Sequence, residues 1–279
     1  MNEIKVIVTG SNRGIGKETA LALAKNNYTI IMACRNVENA QKVCDEIKKE
    51  SHNDNVFVLE LDLSSIASIK SFAASYQKTF QTVNILINNA GLTSHKYEKT
   101  MDGLEKVVGT NYFGTFFLTK LLLPLFEPGK DNRIINMSSD FYKFGRFKIN
   151  KLNDYHWVKA YAVSKYLILL FTLELAEKLK VDGITVNAVH PGVVKTKIMM
   201  TNSWYDIIIN LILFPMYINE KEGASTSIYL AQSDELKGIT GKYFTKCKPL
   251  AIPKKFNDIE LRKELWNASE SIFQKAVQG

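Results

Sequence analysis

The sequence predicts an α/β fold: a single doubly wound parallel sheet of about seven strands with helices on both faces, spanning residues 1–279 as one domain. Three observations point there. Short runs rich in Val and Ile alternate with longer segments of helical period. Those runs are apolar at nearly every position, as strands buried on both faces are. No linker, repeat or low-complexity stretch interrupts the alternation, and unbroken strand–helix succession is the pattern of βαβ crossovers.

Composition narrows the function classes. With 46% hydrophobic residues, 279 residues can bury a substantial core. The formal charge of +8 comes from scattered lysines, including Lys48-Lys49 and Lys254-Lys255. No basic stripe interleaves with aromatics, so no nucleic-acid partner is expected. Cys34, Cys44 and Cys247 are odd in number and lack CxxC spacing, which predicts free thiols in a reducing, cytoplasmic compartment. His52, His95, His156 and His190 stand far apart and near no Cys cluster, so no zinc site is expected. MNEIKVIVTG enters a strand directly, without a secretory pattern.

The first strand, residues 4–8 (IKVIV), runs into TGSNRGIG, Thr9 to Gly16, and then a helical segment. Strand, glycine turn, helix is the context of a phosphate-binding loop. Glycine lets the backbone approach a pyrophosphate, and the helix N-terminus offers free N–H groups and a positive dipole end. The second strand, residues 28–34, ends at Arg35. An acidic residue at this place accepts from the ribose 2′-hydroxyl of NAD, whereas an Arg pairs a 2′-phosphate. Arg35, with Arg13 in the glycine turn, therefore favours NADP(H).

Residues 36–50 form an amphipathic helix, and residues 56–61 the third strand, ended by Asp62-Leu63-Ser64-Ser65. Asp62 either faces an adenine or terminates the strand; Ser64 or Ser65 caps the helix through residue 80. The fourth strand, residues 83–87, runs into Asn88-Asn89-Ala90-Gly91 at a carboxyl end, where open α/β sheets place ligands. A long helix over residues 101–126 carries Asn111 amid apolar neighbours, and a polar group there needs a partner. The fifth strand, residues 133–137, ends at Ser138-Ser139.

A polar and aromatic excursion over residues 140–157 precedes YAVSK, Tyr161 to Lys165. Tyr161 and Lys165 share one helix face. A phenol can act as a general acid if a neighbouring ammonium lowers its pKa from ~10. The sixth strand, residues 184–189, closes on His190-Pro191-Gly192. Residues 204–218 (WYDIIINLILFPMYI) are very apolar but shorter than the ~20 residues of a membrane span. A buried helix, a lid over an apolar substrate and a bilayer contact all fit them; a lid region at about 193–220 is expected. A helix over 220–232, a last strand over 242–245 and a helix over 258–277 complete the chain.

Taken together, these motifs resemble the short-chain dehydrogenase/reductase family, whose pattern is TGxxxGxG, NNAG, a helix Asn, a strand-end Ser and YxxxK. All five stand in order: Thr9-Gly10…Gly14-Ile15-Gly16, Asn88 to Gly91, Asn111, Ser139 and Tyr161…Lys165. ACRN at residues 33–36, Gly145-Arg146, HPGVVKT at 190–196, GKYFTKCK at 241–248 and LWNASE at 265–270 resemble its retinol-dehydrogenase-like branch. The resemblance implies a Rossmann fold and a hydride transfer. Tyr161 would exchange a proton with the substrate oxygen, which Ser139, with Ser138 as the rival, would also hold. Lys165 would hold the nicotinamide ribose and lower the Tyr161 pKa, and Asn111 would anchor a water in a proton relay.

For the cofactor, the implied set is Gly10, Asn12, Arg13, Gly14, Ile15, Gly16, Arg35, Asn36, Asp62, Leu63, Asn89, Ala90, Gly91, Tyr161, Lys165, Pro191, Gly192, Val194 and Thr196. The expected activity is NADP(H)-dependent interconversion of an apolar aldehyde or ketone and its alcohol: retinoid, fatty, steroid or isoprenoid. The alternatives are a catalytically silent NADP-binding regulator and a nucleotide-sugar epimerase, whose usual TGxxGxxG this chain does not match. Peripheral membrane association and homodimerisation stay open.

Overall fold

The protein is seen in a computed structural model that describes residues 4–94, 96–149, 157–194 and 217–278. Thr196, His95, His156 and the apolar residues 204–216 lie outside the described residues, as does most of the expected lid.

The chain runs β1 (Lys5–Thr9), α1 (Gly14–Lys25), β2 (Thr29–Cys34), α2 (Val37–Ser51), β3 (Val56–Glu60), α3 (Ile66–Phe80) and β4 (Ile85–Asn88). Next come α4 (Lys106–Val108), a π-helical turn (Gly109–Gly114) and α5 (Thr115–Leu122), continuous with one another, and β5 (Arg133–Met137). After a 3₁₀ turn (Asp140–Phe144) follow α6 (Trp157–Lys178), β6 (Thr185–His190), β7 (Val193–Val194), β8 (Tyr217–Ile218) and α7 (Glu220–Gln232). Strands β9 (Tyr243–Thr245) and β10 (Lys248–Leu250) and helix α8 (Ile259–Gln278) end it.

The main sheet has the order β10-β9-β6-β5-β4-β1-β2-β3, and β7 and β8 form a separate parallel pair. All neighbours in the main sheet are parallel except β10, which pairs antiparallel with β9. The seven parallel strands are those expected. The eighth was missed because its turn carries no glycine: Lys246 and Cys247 both adopt left-handed conformations, at φ 49° and 58°, a two-residue turn usually marked by Asn-Gly.

Alternation along the strands explains the two layers. Ile7, Ile31, Leu86 and Ile134 face α3, α5, α6 and α8 on one side. Their neighbours Val6, Val8, Ile30, Met32, Ile85, Ile87 and Ile135 face α1, α2 and α7 on the other. On the first side α8 lays Leu265, Trp266 and Phe273 against an aromatic cluster of Tyr112, Phe116, Phe117 and Phe171. Its Ser269 Oγ lies 2.7 Å from the Tyr112 hydroxyl.

The expected helix over 101–126 is shorter and less regular. It starts at Lys106 because Glu105 caps it, accepting from the N–H groups of Val107 and Val108 at 3.0 and 2.8 Å. Among the described residues no helix is long and apolar enough to cross a membrane.

Candidate active site

The strand order reverses between β1 and β4, so their carboxyl ends open a crevice at the switch point. The two turns there are stitched together. Asn89 Nδ2 donates to the Thr9 carbonyl at 2.8 Å, and Ala90 N–H donates to Thr9 Oγ1 at 2.9 Å. Gly10 and Gly14 sit at φ +65° and +61°, a region that disfavours side chains. A Cβ on Gly16 would lie 2.5 Å from Asn89 Nδ2 and 2.6 Å from the Gly10 carbonyl oxygen, so only glycine fits.

Above this turn α1 begins without a side-chain cap and without an acidic residue in its first turn. Its N–H groups and positive dipole end therefore face the crevice as an anion cradle. These features fit the pyrophosphate of a dinucleotide. Arg13 and Arg35 are exposed on the same rim, and among the described residues neither forms an ion pair.

Across the crevice, α6 presents Tyr161 and Lys165 one turn apart, with Lys165 Nζ 5.6 Å from the Tyr161 ring centroid. Ser139, at the end of β5, stands beside the Tyr161 hydroxyl and favours its ionised form. Ser138 is turned to structure instead, its Oγ donating to the Lys165 carbonyl at 3.0 Å. Lys165 Nζ donates to the Met137 carbonyl at 2.8 Å. A Cβ on Gly91 would stand 3.5 Å from both Lys165 Nζ and Asn111 Oδ1, an ordinary contact distance, so Gly91 lies beside both side chains on the floor of the site.

Asn111 lies in the π-helical turn, whose wider ladder often marks a functional position. Its side chain is engaged at both ends. Oδ1 accepts from Leu92 N–H at 2.8 Å, while Nδ2 donates to the Leu92 carbonyl at 2.9 Å and to Ser164 Oγ at 3.1 Å. The amide thus ties the loop after β4 to α6. Its main-chain carbonyl accepts from Thr115 Oγ1 at 2.9 Å.

Burial dominates the electrostatics. It pushes the Tyr161 phenol up to about 12, against the opposing influence of the Ser139 side chain. It brings the Lys165 ammonium down to about 8. The sequence expectation that Lys165 lowers the phenol is therefore not met in the chain by itself: desolvation disfavours the charged form of each group. His190, at the end of β6, is lowered by burial, with the nearby Asp140 carboxylate opposing.

The remaining sequence candidates take varied places. Asn36 caps α2, its Oδ1 accepting from Asn39 N–H at 2.8 Å. Asp62 closes its own turn, accepting from Ser64 N–H and Ser64 Oγ at 2.8 and 2.6 Å. Leu63 is buried against Gly114, Asn12 is half-buried in the glycine turn, and Ile15 packs on the core beneath it. Gly192 has φ +89°, and its missing Cβ would meet Ile218 Cδ1 at 2.5 Å, while Val194 pairs with Ile218. Pro191 precedes it at the end of β6. Thr9 and Ser164 were missed as site builders, although both stand inside motifs that the sequence displays.

Comparison with known proteins adds four findings. A profile described as short chain dehydrogenase matches residues 5–205. Retinol dehydrogenase 12 of Mus musculus is 38% identical over 267 residues, covering 95% of this chain and 84% of that protein. Retinol dehydrogenase 13 of Homo sapiens is 38% identical over 273 residues, covering 95% and 82%. Among solved structures, an uncharacterised protein from Mycobacterium paratuberculosis superimposes with a TM-score of 0.77 at 30% identity, over 97% of this chain and 93% of that one.

Proposed function

The chain belongs to the short-chain dehydrogenase family, and from that we propose that it is an NADP(H)-dependent oxidoreductase interconverting an apolar aldehyde or ketone with its alcohol. The observation that carries this reading is the half-buried Tyr161 one helical turn from the buried Lys165, with Ser139 beside the phenol. The family's nicotinamide cofactor, when bound, supplies or takes up the hydride.

The chain's own residues do the remaining work. The glycine turn and the α1 N-terminus would hold the pyrophosphate, and Arg13 and Arg35 the 2′-phosphate. Lys165 would hold the nicotinamide ribose, with Asn89, Ala90, Gly91, Pro191, Gly192, Val194 and Thr196 around that half of the cofactor. With its pKa pushed up to about 12, Tyr161 carries its proton at neutral pH and can donate it to a carbonyl oxygen. The Ser139 hydroxyl would donate a hydrogen bond to the same oxygen, where negative charge grows as hydride arrives. For alcohol oxidation the phenol must first ionise, and the Lys165 ammonium is the neighbour that favours this.

An apolar substrate of retinoid, fatty, steroid or isoprenoid type agrees with the retinol dehydrogenases among the relatives. The test is NADPH consumption with a panel of such aldehydes and ketones, NADH in parallel. The wild type should turn over at least one member with NADPH, and Tyr161→Phe should fold and bind NADPH yet lose turnover. A fully active Tyr161→Phe enzyme, or no consumption with any member, refutes the reading.

A further inference from the structure

The residue after Ser139 is a carboxylate whose place the catalytic reading does not explain. Asp140 opens the 3₁₀ turn Asp140–Phe144, which holds Ser139 by two contacts. Tyr142 N–H donates to the Ser139 carbonyl at 2.9 Å, and Phe141 N–H to Ser139 Oγ at 3.4 Å.

Strand β9, more than a hundred residues later in the chain, grips that turn at two points. The Tyr243 hydroxyl donates to Asp140 Oδ1 at 2.8 Å. Its ring packs edge-on against Tyr142, centroids 5.2 Å apart, and Tyr142 in turn packs on Phe256. Tyr243 is 1% exposed and Tyr142 fully buried, so both rings are fixed by packing. The second oxygen of Asp140 is taken by Lys143 Nζ at 2.9 Å. Asp140 is thus a tether, with one oxygen fastened to the sheet and the other to its own turn.

The geometry points to Tyr243 and Asp140 as positioning residues for Ser139: the phenol–carboxylate bond fixes the turn that aims the Ser139 hydroxyl at the reacting oxygen. The inference rests on the oxidoreductase reading, in which Ser139 touches the substrate. It assigns part of the site's precision to β9, a strand outside the five motifs of the catalytic pattern. The bond is charge-assisted, a class that contributes about 1.5–3 kcal/mol, or roughly 10- to 150-fold. A tether transmits only part of that to the reacting atoms.

Tyr243→Phe removes the hydroxyl and keeps the ring. Its kcat should fall about tenfold with unchanged NADPH affinity by fluorescence titration. In a Ser139→Ala background the same change should cost nothing further, because the group it positions is gone. Asp140→Asn, whose amide oxygen can still accept from Tyr243, should recover part of the activity lost in Asp140→Ala. Full activity of Tyr243→Phe, or an equal loss with and without Ser139, overturns the proposal. If the wild type reduces no carbonyl, the functional reading fails by itself. The tether is then decided by crystal structures: a displaced Ser139 Oγ in Tyr243→Phe supports it, and an unmoved one overturns it.

Discussion

Replacing Asn111 by alanine separates two roles that the side chain and the main chain of this residue could play. The side chain is 2% exposed and makes hydrogen bonds of 2.8, 2.9 and 3.1 Å to Leu92 and Ser164. Truncation leaves the Leu92 N–H and carbonyl without their partner. Leu92 is half-buried, so water recovers some of the loss, and Ser164 Oγ keeps its bond to the Tyr161 carbonyl at 2.8 Å. At about 1–3 kcal/mol for each buried group left unsatisfied, the discounted total is about 2–4 kcal/mol. At about 2–4 °C per kcal/mol for a chain of this size, the unfolding midpoint should fall by roughly 5–12 °C. Turnover should fall by about 10²-fold, since the Gly91 loop beside Lys165 loses its tether. Differential scanning calorimetry of the cofactor-free protein and steady-state NADPH oxidation measure the two effects. An unchanged midpoint refutes the clamp and leaves the main-chain carbonyl, which alanine retains, as the part that matters.

Two further predictions follow from charges. Arg35→Ala should weaken NADPH binding by about 10- to 150-fold with little effect on NADH in parallel titrations; equal losses for both cofactors would rule out Arg35 as the phosphate clamp. Burial holds Lys165 at about 8 against an ordinary 10.5, so between those values the unfolded chain binds the extra proton. Wild-type stability relative to Lys165→Met should therefore rise as pH goes from about 8 to 10.5, and urea titrations showing a flat difference across that window would contradict the buried ammonium.

Most of the parallel strands were legible because they are short runs rich in Val and Ile, and the crevice because its two glycine-bearing turns stand at the ends of such runs. Spacing alone brings Tyr161 and Lys165 onto one face. What escaped was whatever depends on three dimensions. The π-helical turn around Asn111 has no local signature, since its flanking glycines serve close approaches to Leu104 and Leu63. The direction of the Tyr161 shift follows from burial, which the motif does not record. The meeting of Asp140 with Tyr243 joins residues 103 apart in sequence. The hairpin at Lys246-Cys247 hid because two side-chain-bearing residues occupy positions that usually take glycine or asparagine.

The seat of α8 on the aromatic cluster has a consequence for how the protein is made. Phe116 and Phe171 are buried partly by Trp266 and Phe273, which are synthesised long after the helices they cover. During translation the sheet and its crevice can form while this aromatic face still lacks its cover, and transiently exposed apolar surface invites aggregation and chaperone binding. Until α8 is made that face stays uncovered, so a ribosome stalled before residue 259 would hold a recognisable sheet with a sticky flank.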